Sequence, residues 1–191
     1  MIPQNDGQSL SFKLIRKLNH KKDVKVFAVG KTGFNHLKQP DDFESELMEI
    51  ATPNDFPLHQ INRVVNGDVH TILVGNGQVF GIGSNANGQL GCGPMLYLET
   101  ISRLPIADDL TIVNAYCGSY HTILLAINGE IWVTGDCSFK QTGYENQENV
   151  KEFTKLEIPC TVTEVATSYS HTLYYCKSSN RLFGTGESFY H

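Results

Sequence analysis

The chain has 191 residues with a formal net charge of −5, and its 40% hydrophobic content is enough for one domain with a sizeable core. It contains no run of about 18 apolar residues, so a membrane-spanning helix is excluded and no membrane partner is expected. The five cysteines are odd in number and form no C-x-x-C pair, which argues against a disulfide framework and a zinc site and favours the cytoplasm or the nucleus.

The first part of the chain differs in charge from the rest. Residues 1–23 are predicted to form an N-terminal strand or arm, followed by repeats over residues 24–191 within a single domain. Residues 1–25 hold six lysines and arginines against two aspartates, whereas the remainder holds nine basic and eighteen acidic residues. Because the body is acidic, nucleic acid is not expected as a partner. The basic start could contact an acidic surface, but a solvated strand or helix face also explains it.

A partial repeat copy ends in Val26–Gly30, and an acidic stretch follows it over residues 40–50. In that stretch Phe43, Leu47 and Ile50 recur at helical spacing, which allows a short surface helix used for docking. The alternative is an ordinary connector that covers the edge of a sheet. A second acidic tract, residues 145–152, is a further loop candidate of the same kind.

Three fuller copies of one unit follow, and each begins with a Gly/Ser-x-x-His-Thr segment and ends in glycine. Residues 121–127 and 130–134 of the middle copy are rich in β-branched and aromatic residues, which predicts two strands. They are joined at Asn128 and Gly129, a pair that favours a tight hairpin turn. The repeat positions are His70, His121 and His171, spaced by 51 and 50 residues, and Gly83, Gly135 and Gly186, spaced by 52 and 51.

Both faces of the strand over residues 121–127 are largely apolar, which indicates a sheet covered on both sides. A sandwich would alternate polar and apolar positions instead. Sheets that are buried on both faces and recur about every 51 residues are typical of blades stacked around an axis. The predicted fold is therefore an all-β propeller.

The segment 84–93 reads Ser-Asn-Ala-Asn-Gly-Gln-Leu-Gly-Cys-Gly. Together with the His-Thr pair and the aromatic-x-x-Gly ending, its Asn-x-x-Gly-Gln-Leu-Gly part resembles the regulator of chromosome condensation repeat over roughly residues 24–191. The resemblance implies blades of four-stranded antiparallel sheets, about three to four of them here, with Gln89, Leu90 and Gly91 as structural positions. Other copies depart from the pattern, retaining only Leu37 after Gly30 and only Gln141 and Gly143 after Gly135.

Propellers of this family typically have seven blades, and seven such units need roughly 350 residues. An open array of fewer blades leaves two uncovered ends. Three explanations stay open: the chain is half of a larger propeller, it is completed by another copy or another chain, or it closes into a small ring.

The three repeat histidines occupy one position in successive blades, so we expect a structural role in which each ring bonds backbone near the following turn. The glycines set the backbone conformation, and Cys117 is expected to be a core thiol. The sequence has neither a G-x-S-x-G elbow nor a phosphate-binding loop. No catalytic, cofactor or metal site is therefore predicted.

We expect a protein–protein interaction module of a regulatory or scaffold protein rather than an enzyme. Its partner-binding loops would contain the residues just before the histidines, namely Asp68, Ser119, Tyr120 and Tyr169. The resemblance also implies two alternatives. One is guanine-nucleotide exchange on a Ran-like small GTPase, and the other is the substrate-recognition part of a ubiquitin ligase.

Overall fold

The computed structural model describes residues 11–13, 26–30, 44–50, 52, 56, 58–144 and 149–187. In these residues the chain forms fourteen strands in four antiparallel sheets, which we number as blades 1 to 4 in chain order. Single turns of 3-10 helix lie at Leu58–Gln60 and Lys177–Ser179. Within the described part of the chain no helix has the length and apolarity needed to cross a bilayer.

Blade 1 shows three strands among the described residues, in the order β1-β2-β3. They are β1 (Ser11–Lys13), β2 (Val26–Gly30) and β3 (Glu44–Ile50). The helix considered for residues 40–50 is therefore wrong: residues 44–50 pair with β2 as an edge strand, because backbone pairing outweighs a weak helical spacing of apolar residues. Residues 40–43, Leu37 and the parts of 1–23 outside β1 lie outside the described residues.

Blade 2 is a four-stranded meander. Its strands are β4 (Ile61–Asn66), β5 (His70–Gly75), β6 (Gln78–Ser84) and β7 (Tyr97–Arg103). The β5–β6 hairpin turns at Asn76 and Gly77, whose φ values are 51° and 77°. Positive φ at both central positions gives the turn twist that matches two antiparallel strands, and this explains the Asn-Gly pair.

Blade 3 repeats this arrangement about 51 residues later. Its strands are β8 (Ile112–Cys117), β9 (His121–Ala126), β10 (Ile131–Gly135) and β11 (Val150–Leu156). The predicted Asn128-Gly129 turn joins β9 to β10, with Gly129 at φ 81°. Ile127, expected to be a covered strand residue, lies just beyond β9 and is 72% exposed. Residues 145–148 of the second acidic tract lie outside the described residues. The last three residues of the tract, 150–152, belong to β11.

Blade 4 has three strands rather than four in the described residues. They are β12 (Glu164–Thr167), β13 (His171–Cys176) and β14 (Arg181–Gly186). The first strands of blades 2, 3 and 4 contact one another in sequence, which places them on the inner side of the array. The architecture is a series of stacked propeller blades with three or four antiparallel strands each among the described residues, which confirms the predicted partial or small propeller.

The blades stack face to face through apolar side chains. Leu124 of β9 packs toward blade 2, whereas its neighbours Ile123 and Leu125 pack toward blade 4. The prediction of a sheet covered on both faces is thus confirmed for blade 3. The core clusters around blade 3 lie at its interfaces with blades 2 and 4. Burying one such side chain stabilises the fold by about 1.5–3 kcal/mol.

The outer face of blade 4 differs from the equivalent face of blade 3. Ile123 and Ile131 of blade 3 are 0% and 1% exposed because blade 4 covers them. Their repeat equivalents in blade 4, Leu173 and Leu182, are 44% and 64% exposed. We call this surface the open face.

Candidate functional site

The repeat histidines join neighbouring blades. His70 Nε2 in blade 2 lies 2.8 Å from the hydroxyl of Thr122 in blade 3. That hydroxyl donates its single hydrogen to the backbone carbonyl of Gln89, at 2.7 Å. Thr122 must therefore accept from the imidazole, which fixes His70 as the tautomer protonated at Nε2. The expected backbone partner is wrong, because a threonine hydroxyl from the next blade occupies that position.

The same relay joins blade 3 to blade 4. His121 Nε2 lies 3.0 Å from the hydroxyl of Thr172, which donates to the carbonyl of Gln141 at 2.8 Å. His70, His121 and both threonines are completely buried. A buried hydrogen-bonded chain of this kind holds two packed sheets in one register.

Burial keeps these imidazoles neutral. Desolvation, which is the larger cause, and the neighbouring His121 together lower the pKa of His70 to about 3. Desolvation also lowers the pKa of His121 to about 4, although the carboxylate of Asp136 acts in the opposite direction. Nδ1 of each ring is buried without a hydrogen-bond partner among the described groups, so a proton added there would find no acceptor.

Glycine is needed where each buried ring meets the preceding turn. A Cβ on Gly67 would overlap the His70 ring, and one on Gly118 would overlap the His121 ring. In blade 4 the equivalent residue is Ser168, and His171 is only half-buried. The third repeat thus lacks the glycine that admits a fully buried imidazole.

The closing glycines have a shared conformational role. They adopt positive φ and lie against the carbonyl of the residue before the repeat histidine, where a Cβ would clash. These residues are Gly83 at φ 109°, Gly135 at φ 111° and Gly186 at φ 116°.

The loop after β6 packs blade 2 against β11 of blade 3. Gln89 folds back to accept the Asn87 amide at 2.9 Å, and Leu90 is fully buried. Gly91 lies against the ring of Phe153 in β11, so closely that a Cβ would come within 2.6 Å of ring carbons. The Gln-Leu-Gly segment is therefore an element of blade packing.

Three turns meet at one end of the array, and we call this end the loop face. They are residues 67–69, 118–120 and 168–170. Their backbones form a ladder, in which the Asp68 amide donates to the Ser119 carbonyl and the Ser119 amide donates to the Tyr169 carbonyl, both at 3.3 Å. The structure thus brings together the residues predicted for partner binding.

These residues are not equivalent in exposure. Asp68 is exposed and Tyr169 is 58% exposed, whereas Ser119 is only 4% exposed. Ser119 is corrected from a contact residue to one that positions its neighbours, because its backbone is the middle of the ladder. The Tyr120 and Tyr169 rings meet edge to face, with centroids 6.3 Å apart. Burial raises the pKa of Tyr120, and Tyr169, Asp68 and Asp136 raise it further.

The opposite end carries a feature that the sequence argued against, since Cys160 and Cys176 form a disulfide. The bond ties the connector before β12 to the end of β13, so two cysteines with no recognisable spacing are neighbours only in the fold. Beside it lies a cavity of about 160 Å³, lined in part by Glu130 and Lys155, which are ion-paired at 2.8 Å. Cys117, expected to be a core thiol, is only partly buried and packs at the edge of the core between blades 2 and 3. Desolvation raises the pKa of its thiol to about 12.

Comparison with known proteins identifies these elements. Residues 76–125 match the model of the regulator of chromosome condensation (RCC1) repeat. They run from the turn before β6 through the Gln-Leu-Gly loop, β7 and β8 to most of β9. This match confirms the resemblance to the repeat that the sequence shows.

The relatives of this chain are much longer proteins. It is 28% identical over 169 residues to the human protein named probable E3 ubiquitin-protein ligase HERC3, covering 86% of this chain and 16% of HERC3. It is 33% identical over 91 residues to the zebrafish (Danio rerio) protein RCC2 homolog, covering 46% of this chain and 18% of that protein. The chain therefore spans less than one fifth of these curated relatives.

Solved structures share the RCC1 fold. Human WBSCR16 superposes with a TM-score of 0.68 at 25% identity, covering 87% of this chain and 47% of that one. Yeast RCC1 (Prp20), solved with Kap60, gives a TM-score of 0.67 at 19% identity, covering 85% and 39%. Both matches extend over less than half of the solved chain, in agreement with an array of only a few blades.

Proposed function

We propose that the chain is a protein–protein interaction module of a regulatory or scaffold protein, and that its partner contacts the loop face. The observation that carries this proposal is the ladder through Asp68, Ser119 and Tyr169. It holds an exposed carboxylate and an exposed aromatic ring at fixed positions. A surface that is ordered before binding loses less conformational entropy when a partner docks.

The repeats support this class of function because they recur in relatives whose names describe different activities. HERC3 is named a probable ligase, and another relative is named X-linked retinitis pigmentosa GTPase regulator. A repeat shared by such proteins is suited to recognition, with other parts of each protein supplying its activity. We therefore propose recognition, and not catalysis, as the role of this chain. The cytoplasmic or nuclear location stays a prediction, since the cysteines favoured it on the assumption of no disulfide and Cys160 and Cys176 form one.

A small GTPase is the first partner to test. Yeast Prp20p, whose solved structure is 17% identical to this chain, is described as binding Gsp1p and histones. We propose the same partner class here as a narrower hypothesis. Release of fluorescent GDP from a Ran-like GTPase tests it, and an unchanged release rate at saturating chain would contradict exchange activity.

The substrate-recognition part of a ligase is the second candidate, favoured by the alignment with HERC3 and with HERC6, also named a probable E3 ubiquitin-protein ligase. Its test is whether captured partners become ubiquitinated when this chain is fused to a ligase catalytic domain. Equal ubiquitination by the domain without the chain would reject it.

The general proposal is tested by partner capture with matched variants. The wild-type chain, Asp68→Lys and Asp109→Lys are immobilised and incubated with nuclear and cytosolic extract, and bound proteins are quantified by mass spectrometry. Asp109 is an exposed acid in the β7–β8 connector, which adjoins the β5–β6 turn at the opposite end. A specific partner should be lost with Asp68→Lys and retained with Asp109→Lys. Equal retention by both variants would reject the loop face.

A further inference from the structure

The loop face combines an aromatic pair with acidic side chains. Tyr169 presents its ring to solvent and is braced by the edge-to-face contact with Tyr120. The carboxylates of Asp68 and Asp136 both act on the Tyr120 phenol. Aromatic rings and carboxylates attract the same kind of ligand, because the face of a ring and an acid group both carry negative potential.

The carboxylates of Asp68 and Asp136 differ in their hydrogen-bond and ion-pair partners. Asp136 Oδ1 accepts the Ser138 amide at 2.9 Å and the Ser138 hydroxyl at 2.6 Å. Asp68 is exposed, and no lysine or arginine in the described ranges pairs with it. The loop face thus holds one carboxylate without a lysine or arginine partner in the described ranges and one exposed ring, and the backbone of Ser119 links the two turns that carry them.

We propose that this cluster, Asp68, Tyr120 and Tyr169, receives an arginine side chain of a protein partner. The guanidinium would lie on the ring of Tyr169 while its N–H groups donate to the carboxylate of Asp68. Arginine fits better than lysine because its flat, delocalised cation stacks on a ring and can donate two parallel hydrogen bonds to one carboxylate. A phosphate-bearing partner is disfavoured because the acids would repel it.

This inference rests on the proposed function and adds the chemistry of the partner. The ladder between the turns orders this surface before a partner binds. The backbone of Ser119 is hydrogen-bonded to the backbones of Asp68 and Tyr169, and these bonds do not depend on either side chain. Changing Asp68 or Tyr169 should therefore alter recognition while leaving the fold intact.

The direct test is NMR titration of the isotope-labelled chain with N-acetyl-arginine-N-methylamide. The matched probe is the citrulline analogue, which has nearly the same shape without the charge. We expect saturable shifts at the amides of residues 67–70, 118–121 and 168–171 with arginine, and much smaller ones with citrulline. Shifts scattered over the acidic surface, or equal shifts with both probes, would overturn the inference.

Variants then test each contact. Asp68→Asn should weaken arginine binding about tenfold, since it removes a charge-assisted pair while preserving shape. Tyr169→Ala should weaken it as well, whereas Tyr169→Phe retains the ring and should bind like the wild type. Asp109→Asn removes the same charge at the opposite end and should change nothing. If Asp109→Asn weakens binding as much as Asp68→Asn, only general electrostatic attraction is present and the inference fails.

The two proposals can fail separately. If a captured partner depends on Asp68 but the arginine probe does not bind there, the arginine inference fails and the interaction face remains. If the probe binds at the cluster but no captured protein is lost with Asp68→Lys, the cluster is a cation site and the proposed interaction function fails.

Discussion

His121 in blade 3 donates a hydrogen bond from Nε2 to the hydroxyl of Thr172 in blade 4, and His70 makes the same bond to Thr122 one blade earlier. Each threonine hydroxyl in turn donates a hydrogen bond to a backbone carbonyl of a loop. The residue pair that is most recognisable in the sequence of each repeat is thus divided between two interfaces. The histidine donates a hydrogen bond to the next blade, and the adjacent threonine accepts one from the previous blade.

Replacing Thr122 by valine should destabilise the chain. The substitution keeps the shape but leaves the buried His70 Nε2–H and the Gln89 carbonyl without partners, at a cost of about 2–3 kcal/mol. Urea unfolding followed by circular dichroism measures this free energy. Thr100→Val at an exposed position of β7 is the control and should change stability by less than about 0.5 kcal/mol. Equal effects of the two variants would show that the relay contributes nothing.

Adding one methyl group at Gly118 should be more damaging. Its Cβ would overlap the His121 ring and approach the Ser168 carbonyl to 2.6 Å, so we expect Gly118→Ala to cost more than about 2 kcal/mol or to prevent folding. Ser168→Gly, at the equivalent position of blade 4, should lower stability by no more than about 1 kcal/mol through backbone entropy. Thermal unfolding of both variants compares them, and a wild-type midpoint for Gly118→Ala would contradict the close approach.

The sequence located the strands, the hairpin turns and the repeat positions because these depend on local periodicity and turn chemistry. It did not identify Thr122 as the partner of His70, since the two are 52 residues apart and meet only when sheets stack. The burial of Ser119 was missed for the same reason. The serine at residue 168, where the other copies have glycine, was visible in the sequence, but the need for glycine at Gly67 and Gly118 depends on the space around the buried rings.

Stability should fall as the solution is acidified from neutral pH. The folded-state pKa values of His70 and His121 lie at about 3 and about 4, below the unfolded value of about 6.5. The contribution of the two histidines to the free energy of unfolding is therefore fully present above pH 6.5. It is lost progressively below pH 6.5, because the unfolded chain binds protons at these imidazoles and the folded chain does not. Each histidine contributes a slope of up to about 1.4 kcal/mol per pH unit.

The pH dependence is measured by urea unfolding at pH 7.5, 6.5, 5.5 and 5.0. His70→Gln replaces an imidazole by an amide that does not titrate, so its slope between pH 6.5 and 5.0 should be smaller even though its stability at neutral pH is also lower. A wild-type free energy that stays constant over this range would contradict neutral burial. An identical slope in His70→Gln would assign the effect to other groups.

Reducing the Cys160–Cys176 disulfide should lower stability. The bond closes a segment with a sequence separation of 16, and restricting the unfolded chain over such a loop is worth about 3 kcal/mol. The melting temperature with and without dithiothreitol measures the loss. The double variant Cys160→Ser/Cys176→Ser is the control. Its melting temperature should be as low as that of the reduced wild type, with or without dithiothreitol. Alkylation of the unfolded, unreduced chain should label Cys92, Cys117 and Cys137 alone, and labelling of all five would show that the bond is absent.

The open face should promote association of the chain with itself or with further blades. Leu173 and Leu182 are exposed where their blade 3 equivalents, Ile123 and Ile131, are covered, and exposed apolar surface that is normally paired favours association. Light scattering of the wild type should give a mass above 21.3 kDa that rises with concentration. Leu182→Lys places a charge on this face and should restore the monomer, whereas Glu157→Lys at an exposed connector position should not. A wild-type mass of 21.3 kDa at every concentration would mean that the exposed leucines are tolerated by the isolated chain, and partner capture could then be interpreted for a monomer.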